Sequence, residues 1–112
     1  MDPRDRASLE RIVEHARTAI EYARTTPDWR HDQKTVDAIV ARVGQVGENA
    51  TLSRLSEDAQ AAVPGVPWAA VRSMRNALYH GYEGIDVDIL ASTIETDLPL
   101  LIQAIEKALA TS

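Results

Sequence analysis

The chain has 112 residues, which is enough for one domain with its own core and leaves no room for a second core. Apolar residues make up 45% of it, a share typical of folded globular proteins and too high for a disordered chain. It contains no cysteine, which excludes disulfides, thiolate metal sites and cysteine nucleophiles. The formal net charge is −5, which excludes a broad basic surface that coats nucleic acid. Any contact with RNA must therefore be local.

The sequence also lacks the features of membrane and exported proteins. No stretch approaches the roughly 18 consecutive apolar residues needed to span a bilayer, and residues 1–5 lack an apolar signal core. We therefore expect a cytoplasmic protein with a single domain over residues 1–112.

A first amphipathic helix is predicted between Asp2 and Thr25. Asp2 followed by Pro3 is a typical cap and first helical residue, and the residue before Pro27 is pushed out of the helical region. The apolar residues recur at helical spacing: Leu9, Ile12, Val13, Ala16, Ala19, Ile20 and Ala23.

A second helix is predicted from a further apolar stripe, which consists of Val36, Ile39, Val40, Val43, Val46 and Ala50. Gly44 and Gly47 lie on or beside this stripe and weaken the helix. Two glycines on one helix let another backbone approach closely or leave space for a ligand. We favour close helix packing.

The third and fourth helices are separated by a clear break. Ser56 caps a short helix through Ala62, and the prolines at 64 and 67 then stop helix propagation. Pro67 suits the first position of a fourth helix, which we predict from Trp68 to His80.

A long final helix follows, capped by Asp86 or Asp88. Its stripe consists of Leu90, Ile94, Leu98, Leu101, Ile102, Ile105 and Leu109. Pro99 lies inside it, so we expect a kink or a helix in two parts. No period-2 pattern indicates a strand, and the sequence predicts an all-α, up-and-down bundle of four main helices plus a short helix.

The predicted fourth helix has one apolar and one polar face. Val71, Met74 and Leu78 follow helical spacing and should face the core. The opposite arc carries Arg72, Arg75, Asn76, Tyr79 and His80. Gly81 can end the helix, which would place His80 at a helix C-terminus where the dipole favours its protonated form.

These residue types suit phosphodiester chemistry. An arginine such as Arg75 binds phosphate through two parallel hydrogen bonds, and a histidine such as His80 exchanges protons near neutral pH. RNA supplies its own nucleophile, the 2′-hydroxyl, so no metal site is required. The spacing alone is more typical of a solvated polar face, on which the arginines are solvated or pair with acids and His80 is a hydrogen-bonded helix terminator.

The residues around this face resemble a known family. The run from Val66 to Trp68 and the run from Ser73 to Tyr82 are similar to the HepT-like subgroup of HEPN domains, whose signature is R-x4-H-x-Y. Arg75, His80 and Tyr82 fit this signature, and Asn76 is the usual residue after the arginine. The segments 46–50 and 97–101 also resemble the family's second and last helices.

The resemblance implies a homodimer whose two motifs form a metal-independent ribonuclease site without a cofactor. It implies that Arg75 holds and polarises the phosphate and that His80 is the acid or base. It further implies a partner, a minimal nucleotidyltransferase of the MntA type that acts as antitoxin. In some members this partner transfers AMP onto the motif tyrosine, here Tyr82. Adding a bulky anion there would repel RNA phosphate.

Other residues have supporting or structural interpretations. Glu48 either orders Arg75 and shapes the cleft or is solvated, and Tyr79 either stacks on a base or covers the dimer interface. Arg72 and Asn76 are supporting residues beside them. Trp29 and Trp68 are interpreted as packing residues. His15 is interpreted as a histidine at the edge of the first stripe and not as a ligand.

Three functions compete at this point. The first is a ribonuclease toxin silenced by its nucleotidyltransferase partner. The second is a catalytically silent HEPN module that binds RNA or nucleotide, or serves the partner as scaffold and substrate. The third is a plain helical dimerisation protein. The complete motif favours the first.

Overall fold

The computed structural model describes residues 1–111, and within them the chain forms helices and turns but no β-strand. The α-helices are α1 (Pro3–Thr25), α2 (Gln33–Asn49), α3 (Glu57–Ala61), α4 (Trp68–Arg72), α5 (Val87–Ser92) and α6 (Leu98–Ala110). Short 3₁₀ turns lie at Trp29–His31, Asn76–Leu78 and Gly81–Glu83, and a π-helical turn lies at Thr93–Asp97. The predicted all-α bundle is confirmed.

Local signals set the ends of α1. The Asp2 side chain accepts a hydrogen bond from the Arg4 N–H at 2.7 Å, and Pro3 occupies the first turn, where its missing N–H is not needed. The helix ends at Thr25, as predicted. The chain reverses through a short connection anchored by the buried Trp29 ring, and α2 then packs along α1.

The core lies where α1 meets α2 on one side and α6 on the other. Its fully buried large side chains come from every predicted stripe: Leu9, Ile12, Ile39, Val43, Val46, Leu78, Leu90, Leu98 and Ile105. Leu55 and Val63, which lie outside the predicted stripes, are also fully buried. Trp68 is also buried, and its Nε1–H donates to the Gln60 carbonyl at 3.1 Å. The packing interpretation of both tryptophans is therefore confirmed.

The final helix is in two parts, as predicted from Pro99. Asp86 caps α5, the π-helical turn follows directly, and Pro99 lies in the first turn of α6. Proline has no N–H to give to the carbonyl of residue 95, and its ring crowds the preceding turn. The wider π-helical turn accommodates this defect at the junction between α5 and α6.

The predicted fourth helix is wrong in its length, because α4 ends at Arg72 and does not continue to His80. The Ser73 hydroxyl donates back to the Ala69 carbonyl at 2.8 Å, a side-chain bond that competes with regular helix propagation. Beyond it the backbone tightens into i→i+3 bonds, from Met74 N–H to Val71 O and from Leu78 N–H to Arg75 O. Val71 and Leu78 nevertheless reach the core, as the stripe predicted.

Candidate active site

The glycines of α2 receive the segment that carries the motif. A Cβ added at Gly47 would lie 2.9 Å from the Arg72 carbonyl oxygen and 3.1 Å from the Val71 carbonyl oxygen. The end of α4 therefore rests directly on the α2 backbone, which is the close packing predicted for these glycines. A Cβ at Gly44 would instead lie 2.9 Å from Cδ of the Arg75 side chain. Gly44 thus provides space for a functional side chain, and Gly47 provides space for backbone.

Arg75 is exposed, and its guanidinium contacts an aromatic residue. Its Nη2 donates to the Tyr79 hydroxyl at 3.3 Å, and its Cζ lies 5.7 Å from the centroid of the Tyr79 ring. No acid within residues 1–111 forms an ion pair with it. Because Tyr79 accounts for one donor, the remaining N–H groups are available to an anion.

Arg72 lies deeper than Arg75 and is held by neighbouring structure. Its Nη1 donates to Gln60 Oε1 at 3.1 Å, while the Gln60 amide donates to the Leu55 carbonyl at 3.0 Å. This arrangement joins the end of α4 to α3. The half-buried Arg72 therefore braces the motif segment, and its charge adds to the local positive potential.

His80 lies in a hairpin-like loop and not at a helix C-terminus, which corrects the expectation of a helix-dipole effect. Its N–H donates to the Gly84 carbonyl at 2.7 Å, and the Asp86 N–H donates to the Leu78 carbonyl at 2.8 Å. An isolated antiparallel bridge joins the intervening residues of the two arms. Gly84 has a φ of +88°, a conformation that favours glycine, so the chain can turn back at this position.

The His80 imidazole is largely exposed and faces one acid. Its side chain is 68% exposed, and Nδ1 lies 3.6 Å from Oδ2 of Asp86. The other Asp86 oxygen caps α5, accepting from the N–H groups of Asp88 and Ile89 at 3.0 and 3.2 Å. The Ile89 N–H bond first, then the Asp88 bond and the nearby His80 ring, hold the pKa of the Asp86 carboxyl below its ordinary value.

The remaining candidates differ in their surroundings. Tyr82 is fully exposed near the tip of the loop, between Gly81 and Gly84. Asn76 is exposed at the start of a 3₁₀ turn. Glu48 is exposed one helical turn after Gly44, and within residues 1–111 it forms no ion pair with Arg75.

Sequence reasoning missed three contacts at this site. It treated Asp86 only as a cap and did not place it against His80. It also missed that Gly44 makes room for Arg75 and that Gln60 holds Arg72. The only available signal was Asp86 itself, an acid six residues after the motif histidine, and nothing in the sequence shows how the loop returns.

Residues 1–111 contain neither a metal-binding cluster nor a membrane-spanning helix. Within residues 1–111, no three histidine, aspartate or glutamate side chains are grouped closely enough to hold a metal ion. Among the helices in that range, none combines the length and the hydropathy needed to cross a bilayer. His15, predicted to be an edge histidine, is half-buried and accepts a hydrogen bond at Nδ1 from Arg42 at 3.0 Å.

The family and the relatives that match this chain are all named as ribonucleases. The family described as "Ribonuclease HepT-like" matches residues 8–108. The chain is 32% identical over 101 residues to a Thermococcus cleftensis protein named "Probable ribonuclease HepT", covering 88% of this chain and 90% of that protein. Two Methanocaldococcus jannaschii proteins, both named "Putative RNase", are 30% and 28% identical over 104 and 109 residues. These two alignments cover 91% and 95% of this chain and 84% and 98% of the relatives.

No solved structure is significantly similar to the chain. The family match spans nearly all of the described bundle, including the loop that carries Arg75 and His80. The chain belongs to the HepT-like ribonuclease family.

Proposed function

We propose that this protein is a metal-independent endoribonuclease whose catalytic residues are Arg75 and His80, and that it is the toxin of a toxin–antitoxin pair. The observation that carries the proposal is the exposure of these two side chains, together with the absence of an acidic partner for Arg75 among the described residues. Both are exposed on one short segment, and Arg75 forms no ion pair within residues 1–111. A guanidinium without an acidic partner is available for phosphate.

The reaction is transesterification at an RNA phosphodiester. His80 takes the proton of the ribose 2′-hydroxyl, the 2′-oxygen forms a bond to phosphorus, and the bond from phosphorus to the 5′-oxygen breaks. A second imidazole or water protonates the leaving 5′-oxygen, which leaves a 2′,3′-cyclic phosphate and a 5′-hydroxyl. Arg75 stabilises the negative charge that develops on the phosphate oxygens.

A homodimer supplies the second set of groups. An apolar groove of about 510 Å³ lies beside the motif segment, and Met74 and Ala77 contribute to its lining. Ile89 and Leu100 at the same groove are 43% and 60% exposed, which is costly for a monomer in water. A second copy seated there would bring two motif segments together and double the local positive charge of an acidic protein.

The regulatory part of the proposal concerns Tyr82. Its hydroxyl is fully exposed on a glycine-flanked loop, where another enzyme could reach it. The partner is a nucleotidyltransferase antitoxin: the tyrosine oxygen bonds to the α-phosphorus of ATP, pyrophosphate leaves, and the phenolic proton is lost to solvent. The attached AMP then repels the RNA backbone. We also place the protein in the cytoplasm, because cellular RNA is found there and the lack of cysteine is compatible with a reducing compartment.

The test compares RNA cleavage by the unmodified protein with that by Arg75→Ala and His80→Ala, with a metal chelator present throughout. We expect Arg75→Ala and His80→Ala each to cleave RNA at least about 100-fold more slowly than the unmodified wild-type protein. His31→Ala is the matched control, because His31 is an exposed histidine paired with Asp28 in the connection between α1 and α2. Equal activity in all four proteins would contradict the catalytic assignment.

The alternative function is a catalytically silent module that binds RNA or serves as scaffold and substrate of the nucleotidyltransferase. The complete polar set at the loop argues for catalysis, since a scaffold does not require an Arg75 that has no acidic partner among residues 1–111. RNA binding without cleavage in the same assay would favour the alternative. An intact-mass measurement after production with the partner would test AMP addition, and a Tyr82→Phe variant would show whether Tyr82 is the site.

A further inference from the structure

Asp86 has two oxygens with different tasks. Oδ1 accepts both backbone bonds that cap α5, at 3.0 and 3.2 Å. Oδ2 is left over, and it lies 3.6 Å from Nδ1 of His80. The cap alone therefore does not use the whole carboxylate, and the unused oxygen faces the motif histidine.

The backbone fixes this relationship. The Asp86 N–H is bonded to the Leu78 carbonyl at 2.8 Å, and the His80 N–H is bonded to the Gly84 carbonyl at 2.7 Å. The two arms of the loop are thus joined at Leu78 and at His80 itself. The Asp86 carboxylate is brought to His80 by main-chain bonds, so the approach does not depend on flexible side chains.

The other acids near the loop do not compete with Asp86 for the His80 ring. The neighbouring acid, Asp88, is engaged at 2.8 Å by Arg30 from the connection between α1 and α2. Glu83, in the loop itself, is exposed and forms no ion pair within residues 1–111. The Asp86 side chain is only 25% exposed, so its charge is less screened than that of a fully solvated acid.

We propose that Asp86 is a positioning residue for His80: it holds the imidazole proton on Nδ1, so that Nε2 faces the RNA and exchanges the catalytic proton. A histidine with a fixed Nδ1–H has only Nε2 free as base, and the carboxylate also stabilises the imidazolium formed during the reaction. The 3.6 Å separation closes to a hydrogen bond with a small rotation of the exposed ring when RNA binds. This inference rests on the proposed ribonuclease function.

A purely structural role for Asp86 makes a different prediction. If Asp86 only caps α5, asparagine should replace it fully, because aspartate and asparagine are equally good N-caps. Asp86→Asn keeps the Oδ1 acceptor for both backbone N–H groups, but it places an NH₂ donor where Oδ2 faces His80. That donor turns His80 Nδ1 into an acceptor and moves the ring proton to Nε2, the wrong tautomer for a base.

The experiment measures two properties of the full-length wild type, Asp86→Asn and the control Asp88→Asn. Asp88→Asn removes the same charge two residues away and leaves the carboxylate facing His80 in place. The first property is the rate of single-turnover RNA cleavage as a function of pH. The second is the ¹⁵N NMR signature of the His80 ring, which shows which nitrogen is protonated and does not depend on activity.

For Asp86→Asn we expect an unchanged Tm, a roughly 10- to 100-fold lower cleavage rate and a shift of the ring proton to Nε2. Asp88→Asn should cleave at the wild-type rate with the wild-type tautomer. An Asp86→Asn protein with wild-type rate and wild-type tautomer would overturn the proposal. If wild-type protein cleaves no RNA, the proposed function fails, while the NMR comparison still decides whether Asp86 sets the state of His80.

Discussion

The Arg75 side chain lies across Gly44 of α2, so close that a Cβ at residue 44 would be only 2.9 Å from Arg75 Cδ. A Cβ added at Gly47, three residues further along the same helix, would lie at the same distance from the Arg72 carbonyl oxygen at the end of α4. Two glycines of one helix thus accommodate one functional side chain and one backbone. The difference between these contacts allows catalysis and stability to be tested separately.

Gly44→Ala should reduce activity without reducing stability. The added methyl group displaces Arg75 from its position, and an exposed side chain can move at little cost to the core. Misplacing a phosphate-binding group by about 1 Å can lower the cleavage rate about 100-fold. The helix itself gains up to about 1 kcal/mol when alanine replaces glycine. Single-turnover cleavage and chemical denaturation of the same protein check both parts, and wild-type activity would contradict the role of Gly44.

Gly47→Ala should instead destabilise the fold. Its methyl group would meet the carbonyl oxygens of Arg72 and Val71, which belong to the backbone and cannot rotate away. Overpacking of this kind costs about 1–3 kcal/mol, which exceeds the gain in helix propensity. The measurement is the free energy of unfolding in urea, with Gly44→Ala as the matched control. A Gly47→Ala protein as stable as Gly44→Ala would show that α4 can shift freely.

His15 should make the fold sensitive to mild acid. Burial first, and the nearby Arg42 charge second, lower the pKa of His15 from its ordinary value of 6.5. At this histidine the unfolded chain therefore binds a proton more readily than the folded chain. The contribution of neutral His15 to stability is fully present above about pH 6.5 and is lost as the pH drops towards the lowered pKa. His15→Asn keeps an acceptor for Arg42 and cannot titrate. Its free energy of unfolding should stay flat where that of the wild type declines, and parallel curves would contradict this.

Asp5 should affect the stability of the fold in a lower pH range than His15 does. The Ser56 hydroxyl and N–H donate to its carboxylate at 2.6 and 2.9 Å, and these bonds lower the pKa of this buried acid. The contribution of Asp5 to stability is therefore fully present above its ordinary pKa of 3.8 and is lost as the pH falls through the lowered pKa. Asp5→Ala should cost about 1–3 kcal/mol at neutral pH, because two donors of Ser56 lose their acceptor.

The Asp5→Ala variant should also lose less stability than the wild type on going below pH 3.8. Urea unfolding at neutral pH and at acidic pH measures both effects. Asp2→Ala is the control, since Asp2 is an exposed acid that caps α1 through a single bond and leaves Ser56 untouched. Identical acid dependence in Asp5→Ala and wild type would contradict the assignment.

The sequence predicts the long helices of this fold well because their signals are local. The cap at Asp2, the stop before Pro27 and the break near Pro99 each act within one or two turns. The end of α4 could not be predicted in this way. It depends on Ser73 bonding back to its own helix and on a loop whose arms are joined by bonds between residues eight apart, Asp86 and Leu78.

The candidate site divides along the same line. The resemblance to the R-x4-H-x-Y signature points to Arg75, His80 and Tyr82, and all three are exposed. The contacts that support them come from elsewhere in the chain: Gly44 from α2 for Arg75, and Asp86 from the far arm of the loop for His80. Such partners depend on tertiary geometry, which helical periodicity does not encode.

The π-helical turn at Thr93–Asp97 absorbs one residue between the last two helices. Its hydrogen bonds span one residue more than those of an α-helix, so it holds an extra residue without breaking the helix axis. Deleting one residue from this turn would restore regular α-helix and leave the rotation of α6 nearly unchanged, so Leu101 and Ile105 would stay in the core. Deleting one residue from the regular part of α5 would instead rotate everything after it by about 100° and turn both side chains out of the core.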